Sequence, residues 1–105
     1  MTDHIWYNIP DALKKGLIQV LTLKLIESEP DTALGLSRRL SVLLDNYDFD
    51  VTDMKRLLGK ELAHQAILKE DKYVLTPGGK EIVPDSVYEI KRVLSFVTEP
   101  TKEGQ

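Results

Sequence analysis

Few residues in this chain could carry out covalent or metal chemistry. Its 105 residues include no cysteine and two histidines, His4 and His64. Without cysteine there is no disulfide and no Cys-ligated zinc, and no His-x-x-x-His pair offers two imidazoles on one helix face. Asp45, Asp48, Asp50 and Asp53 crowd one stretch. A calcium loop needs a central glycine and a terminal bidentate glutamate, and this stretch has neither, so it reads as a solvated acidic loop. Nucleophilic catalysis would need a hydroxyl beside a base and an orienting acid. Ser37, Ser41, Ser86 and Ser95 instead fall in helical patterns as surface or capping residues. Gly78-Gly79 lacks the Gly-x-x-x-x-Gly-Lys spacing of a phosphate loop. No enzyme activity, cofactor or metal is expected.

What remains is charge. The formal net charge is −3, yet residues 54–80 carry six cations against three carboxylates, while residues 31–53 carry two against five. A polyanion should meet the chain at its one basic segment. There Lys55, Arg56, Lys60 and His64 share the polar face of a helix with Gly59 and Ala63, opposite an apolar set of Met54, Leu57, Leu58 and Leu62. Small residues let a helix approach a groove closely while cations meet phosphates. Arg38 and Arg39 before this helix, and Lys69 or Lys72 after it, are placed to reach flanking phosphates. The plain alternative is a solvated helix face. Asp50 and Asp53 at the helix start would oppose a phosphate, or serve as cap and dipole partners.

The periodicity supplies the elements that hold these residues. Leu13, Leu17, Leu21 and Leu25 recur every four residues, with Val20 beside them, and predict a first helix over Asp11–Ser28. The alternation from Val20 to Leu25 also fits a strand, but the length of the run favours helix. A second helix is expected from Thr32 to about Asn46, its apolar face Leu36, Leu40, Leu43 and Leu44, and a third from a cap at Asp50 or Thr52 to about Gln65. Ile67-Leu68 and Tyr73-Val74-Leu75 read as strands around a polar turn, Lys69-Glu70-Asp71-Lys72. Pro84 should break the chain. Ser86 with Glu89 is a capping-box pattern for a last helix, on which Val83, Val87, Ile90, Leu94 and Val97 step by four, three, four and three.

The expected fold is therefore mainly α with a small β component, an α+β chain: three helices, a short two-stranded hairpin and a C-terminal helix, in winged helix-turn-helix order. It divides into an N-terminal arm at 1–10, a winged-helix domain at 11–83, a C-terminal helix at 84–98 and a flexible tail at 99–105. No stretch reaches the roughly 20 apolar residues of a membrane span; the longest is interrupted by Gln19, Thr22 and Lys24. The start, Met1-Thr2-Asp3-His4, has no signal-peptide pattern, so a soluble, cytoplasmic protein is expected.

Several segments resemble one family. Leu23-Lys24-Leu25-Ile26-Glu27-Ser28-Glu29 is similar to the first-helix end, Gly35-Leu36-Ser37-Arg38-Arg39-Leu40 to the second helix, and Arg56 to Leu68 to the recognition helix and first wing strand of PadR-like transcriptional regulators, and more loosely of MarR-like ones. The clearest likeness is Tyr73-Val74-Leu75-Thr76-Pro77-Gly78-Gly79-Lys80-Glu81, similar to the Tyr-x-Leu-Thr-x-x-Gly link from wing to final helix. Leu17 to Val83 is covered. The chain departs from the pattern at Ala66, at Val51-Thr52-Asp53-Met54 and at the clipped hairpin tip. The resemblance implies a DNA-binding regulator.

Together these readings lead to a homodimeric, double-stranded DNA-binding regulator with its third helix in the major groove. DNA contacts are expected from Arg38, Arg39, Lys55, Arg56, Lys60, His64 and Lys72, and dimer contacts from Trp6, Tyr7, Val87, Ile90, Leu94 and Val97. The alternative is a winged helix that binds a protein partner and no DNA.

Overall fold

The computed structural model describes residues 10–98, with side chains through Phe96. Trp6, Tyr7 and the side chain of Val97 lie outside the described residues. The described residues are mainly helical, with four helices and one two-stranded antiparallel hairpin among them: α1 Asp11–Ser28, α2 Ala33–Leu43, α3 Val51–Arg56, running on as a π-helical turn over Leu57–Glu61, then β1 Ala66–Lys69, β2 Lys72–Leu75 and α4 Pro77–Thr98. No helix among the described residues is long and apolar enough to cross a membrane.

The first helix has the bounds its periodicity predicts, and its most buried positions lie beside the leucine row. Ile18, Thr22, Leu23 and Ile26 are buried, while Leu17, Leu21 and Leu25 are half-buried and Leu13 is exposed. A step of four residues advances about 40° beyond a full turn of a 3.6-residue helix, so the row winds around the helix: Leu17, Leu21 and Leu25 pack against the edge of the core and Leu13 falls outside it. The Thr22 hydroxyl is buried without a hydrogen-bond partner among the described residues.

Thr32 caps α2, its Oγ1 accepting the Gly35 N–H at 3.0 Å. The helix buries Ala33, Leu36, Ser37 and Leu40 and ends at Leu43, short of the expected Asn46, where Asp45 and Asn46 turn the chain with positive φ. Leu43 is exposed. Ser37 is no surface residue: it is buried and donates to the Leu34 carbonyl at 2.8 Å.

Asp31 joins the helical part to the hairpin. Its carbonyl accepts the Tyr73 N–H at 2.7 Å, forming an isolated antiparallel bridge beside β2. The hairpin pairs Ala66 with Leu75 through to Lys69 with Lys72. Its turn is therefore only Glu70-Asp71, both at positive φ (52° and 70°), the mirror-image geometry whose twist matches two-residue hairpins.

Thr76 starts α4. Its Oγ1 accepts the Gly79 N–H at 3.0 Å and donates to the His64 carbonyl at 2.7 Å, with Pro77 in the first helical position, where its missing N–H costs nothing. A Cβ on Gly79 would run into the Gln65 carbonyl, so glycine is required here by close backbone approach.

The expected break at Pro84 does not occur. α4 runs through it as one helix of 22 residues, and Ser86 and Glu89 lie inside the helix rather than at its cap. Val83 is buried and Val87 half-buried against the core on either side of the proline, and this packing carries the helix across. The expected dimer seam divides accordingly. Val87 and Ile90 are half-buried within the chain, whereas Leu94 is 51% exposed.

Replacing Thr22 by valine removes an unpaired buried hydroxyl with little change of shape. Stability should rise by about 1 kcal/mol, read as a higher midpoint in thermal unfolding followed by circular dichroism. A lower midpoint would mean that the hydroxyl has a partner.

Candidate nucleic-acid interface

The third helix is started by a reciprocal cap. The Asp53 N–H donates to Asp50 Oδ1 at 2.8 Å and the Asp50 N–H donates to Asp53 Oδ2 at 3.2 Å. Both carboxylates therefore satisfy end-of-helix donors and sit favourably at the positive end of the dipole. Met54, Leu57, Leu58 and Leu62 are all buried in the core, as their spacing predicts. The opposite face is left exposed, with Lys55, Arg56, Gly59 and Lys60 on it; the helix ends at Glu61, short of the expected Gln65, and Ala63 and His64 lie exposed in the turn that follows. The Leu62 N–H donates to the Leu57 carbonyl at 3.0 Å, five residues back, which widens this stretch into a π turn, a local geometry often found at functional sites. Apart from its chain neighbours and the helix's own backbone, no atom among the described residues lies within 4 Å of where a Gly59 Cβ would stand. Packing within the chain does not require that glycine, although it costs about 1 kcal/mol against alanine in a helix.

The six cations expected at DNA are not equivalent. Lys55 and Lys60 are exposed and have no ion-pair partner among the described residues. Arg56 is also exposed, but its Nη1 lies 3.3 Å from Asp53 Oδ1. Arg38 is exposed on α2. Arg39 is turned inward: its guanidinium donates to the Leu25 carbonyl at 2.8 Å, the Glu29 carbonyl at 2.9 Å and Asp31 Oδ2 at 3.2 Å. It caps the C-terminal end of α1 and ties it to α2, so the phosphate role expected for it is replaced by a structural one. Lys72 is exposed directly opposite Lys69 at the hairpin end, and the tip beyond them is the acidic pair Glu70-Asp71. His64, the one titratable imidazole of the basic segment, is exposed beside the third helix.

Behind the third helix, Glu61 takes a hydrogen bond from Gln19 at 3.0 Å and an ion pair from Lys15 at 2.9 Å, linking the helix to α1. The bond from Lys15 is the main reason its carboxyl titrates below the ordinary 4.5, with partial desolvation acting against it. A cleft of about 270 Å³ between α1 and this helix is lined by Lys14, Lys15 and Arg56 against Asp11, Asp53 and Glu61. Three cations against three carboxylates give it no preference for an anion. Tyr47 and Phe49 stack beside it with centroids 6.4 Å apart, and Lys14 lies 5.8 Å from the Tyr47 ring centre. Ser41 donates to the Tyr47 carbonyl at 2.7 Å, holding the acidic connection against α2. Among the described residues no three His, Asp or Glu side chains converge as a metal site.

Sequence reasoning found the face but missed what holds it. The joint at Asp31 gave no periodic signal, and a Cβ on Gly35 would push the Asp31 carboxylate out of its contacts with Thr32 and Arg39. Comparison with protein families, curated proteins and solved structures finds no match.

Arg39→Ala should lower stability by about 1–3 kcal/mol, because two part-buried acceptors, the Leu25 carbonyl and the Asp31 carboxylate, and the exposed Glu29 carbonyl lose a charged donor, whereas Arg38→Ala should stay within about 0.5 kcal/mol; urea unfolding of the two variants reads the difference. For Glu61, the folded chain binds the proton less readily than the unfolded chain. Its contribution is present above the unfolded value and is lost as pH falls through the lowered folded one. Glu61→Gln should flatten the acid limb of the stability–pH curve below about pH 4.5 and leave a small, salt-sensitive loss near neutrality.

Proposed function

We propose that the chain is a winged-helix protein that binds double-stranded DNA as a homodimer, a transcriptional regulator of the PadR-like kind, with the third helix in the major groove. Three features support the winged-helix reading: the helix–helix–helix–hairpin–helix order, the extra bridge at Asp31 beside the hairpin, and a third helix that packs one face and exposes the other. The observation that carries the DNA reading is the pair Lys55 and Lys60, unpaired cations on the exposed face of that helix, flanking an open Gly59. On this reading the third helix enters the groove, with Lys55 and Lys60 meeting phosphates along its walls and His64 contacting DNA beside them. Arg38 and Lys72 meet phosphates on either side, and Arg56 is shared between DNA and Asp53.

The second reading, a winged helix that binds a protein, is favoured by the acidic flanks. Asp50 and Asp53 cap the helix that would enter the groove, and Glu70-Asp71 occupies the hairpin tip. Both would repel a phosphate backbone.

Lys55→Ala combined with Lys60→Ala separates the two. Both side chains are exposed and unpaired, so the fold should be unchanged. For duplex DNA of mixed sequence, followed by fluorescence anisotropy, binding should weaken. The slope of log affinity against log salt should shrink by about one for each lysine. An unaltered slope would remove the third helix from the contact. No duplex binding by the parent chain even at low salt would favour the protein-binding reading.

A further inference from the structure

We infer that Arg56 selects the DNA sequence, by pairing with the major-groove edge of a guanine, and that Asp53 is the positioning residue that aims it. This rests on the DNA reading above and names the class of site that reading leaves open: duplex that places a guanine under the third helix. The exposed cations of that helix differ in what they can recognise. Lys55 and Lys60 end in compact ammonium groups, which act toward phosphate as point charges. Arg56 is the only arginine from Val51 to Glu61. Its planar fork matches the two acceptors, O6 and N7, that guanine presents in the major groove, and takes both at once. The early turns of a recognition helix are the part that meets base edges, and Arg56 stands there, at the end of α3. Its neighbours on the same side, Thr52 one turn before and Gly59 one turn after, are exposed and small. Neither has a side chain long enough to hold the fork away from a base pair.

The carboxylate beside it separates Arg56 from an ordinary surface arginine. Arginine gives up considerable rotamer freedom when it is held in one place. Here Nη1 donates to Asp53 Oδ1 at 3.3 Å, and Asp53 is itself fixed from two sides. Its own N–H donates to Asp50 Oδ1 at 2.8 Å, and its Oδ2 accepts the Asp50 N–H at 3.2 Å. The two oxygens divide the work: Oδ2 closes the helix cap and Oδ1 holds the guanidinium. The cap therefore anchors a carboxylate to the backbone, and the carboxylate pre-orients the arginine, which lowers the ordering cost of a contact. One N–H of the fork is used. The others have no partner among the described residues, and the side chain is 59% exposed. An ion pair at that exposure adds little stability, but it leaves the rest of the fork in solvent and pointing from a fixed support. The same pair answers the objection to a carboxylate near the groove. Asp53 alone would repel phosphate, whereas Asp53 balanced by Arg56 presents donors.

The test starts from duplexes that the parent chain enriches from a random-sequence pool. Each guanine of an enriched duplex is replaced in turn by 7-deazaguanine, which lacks N7, and by inosine, which keeps N7 and O6, and affinity is read by fluorescence anisotropy. At one guanine, 7-deazaguanine should weaken binding about tenfold and inosine by less than about twofold. Arg56→Lys keeps the charge and loses the fork, at a position outside the core. It should bind mixed-sequence duplex within about twofold of the parent and lose most of the 7-deazaguanine penalty. Asp53→Asn keeps an oxygen for the cap and drops the charge. It should bind mixed-sequence duplex more tightly, yet with a smaller penalty. A penalty unchanged in Asp53→Asn would remove Asp53 from its positioning role. A parent chain indifferent to 7-deazaguanine at every guanine, or a penalty that survives Arg56→Lys, would overturn the inference and leave the DNA reading standing. A parent chain that binds no duplex at low salt would overturn both.

Discussion

The arrangement depends on the short turn around Asp31. Four parts of the chain converge on this residue: the last carbonyls of α1 through Arg39, the cap of α2 through the Thr32 N–H at 2.7 Å, the hairpin through the Tyr73 N–H, and the close approach of Gly35. Helix ends leave carbonyls without partners. Here one guanidinium donates to the Glu29 carbonyl, adds a second donor to the Leu25 carbonyl that already takes the Glu29 N–H, and pairs with the carboxylate that organises the next helix. The backbone of the same residue holds the hairpin. The third helix follows α2 and precedes β1, so fixing these neighbours fixes the direction in which its exposed face points. A hairpin held by Asp31 at one end and by the Gln65–Thr76 contact at the other, where the Thr76 N–H donates to the Gln65 carbonyl at 2.9 Å, has little freedom to swing against the helices.

Charge decides how such a face could be used. A chain of net charge −3 gains little from long-range attraction to a polyanion, since charges more than about 8 Å apart are screened at physiological salt. Contact must come from a few cations presented close to the backbone. Acidic groups on three sides, at the helix cap, in the Asp45–Asp48 connection and at the hairpin tip, leave few orientations in which a phosphate meets lysine before carboxylate. Such an arrangement favours one register over strong unspecific binding, because like charges brought together cost more than a surface ion pair returns.

The sequence made the helices legible and left the joints hidden. The apolar spacing of Met54, Leu57, Leu58 and Leu62 located the buried side of the third helix because packing and periodicity agree there. Leu13, Leu17, Leu21 and Leu25 located the first helix, but not its most buried positions, because spacing in four drifts from the 3.6-residue period. Pro84 misled: a local rule against proline inside a helix is overridden by Val83 and Val87 packing on both sides of it. Arg39 looked like its neighbour Arg38, and only the fold shows that one faces solvent and the other faces the end of α1. Gly79, a residue that helix propensity disfavours, permits the close approach to Gln65 that seats α4. Contacts of this kind join residues far apart in the chain and leave no local pattern to read.

The most direct measurement is a nitrogen–proton correlation spectrum of the labelled chain titrated with mixed-sequence duplex DNA at low salt. The account requires the amide signals of Lys55, Gly59, Lys60 and Ala63, and that of Arg38, to move together while Glu70 and Asp71 at the hairpin tip stay in place. Signals that move only in the Asp45–Asp50 connection or along α4, or that do not move at all, would contradict it.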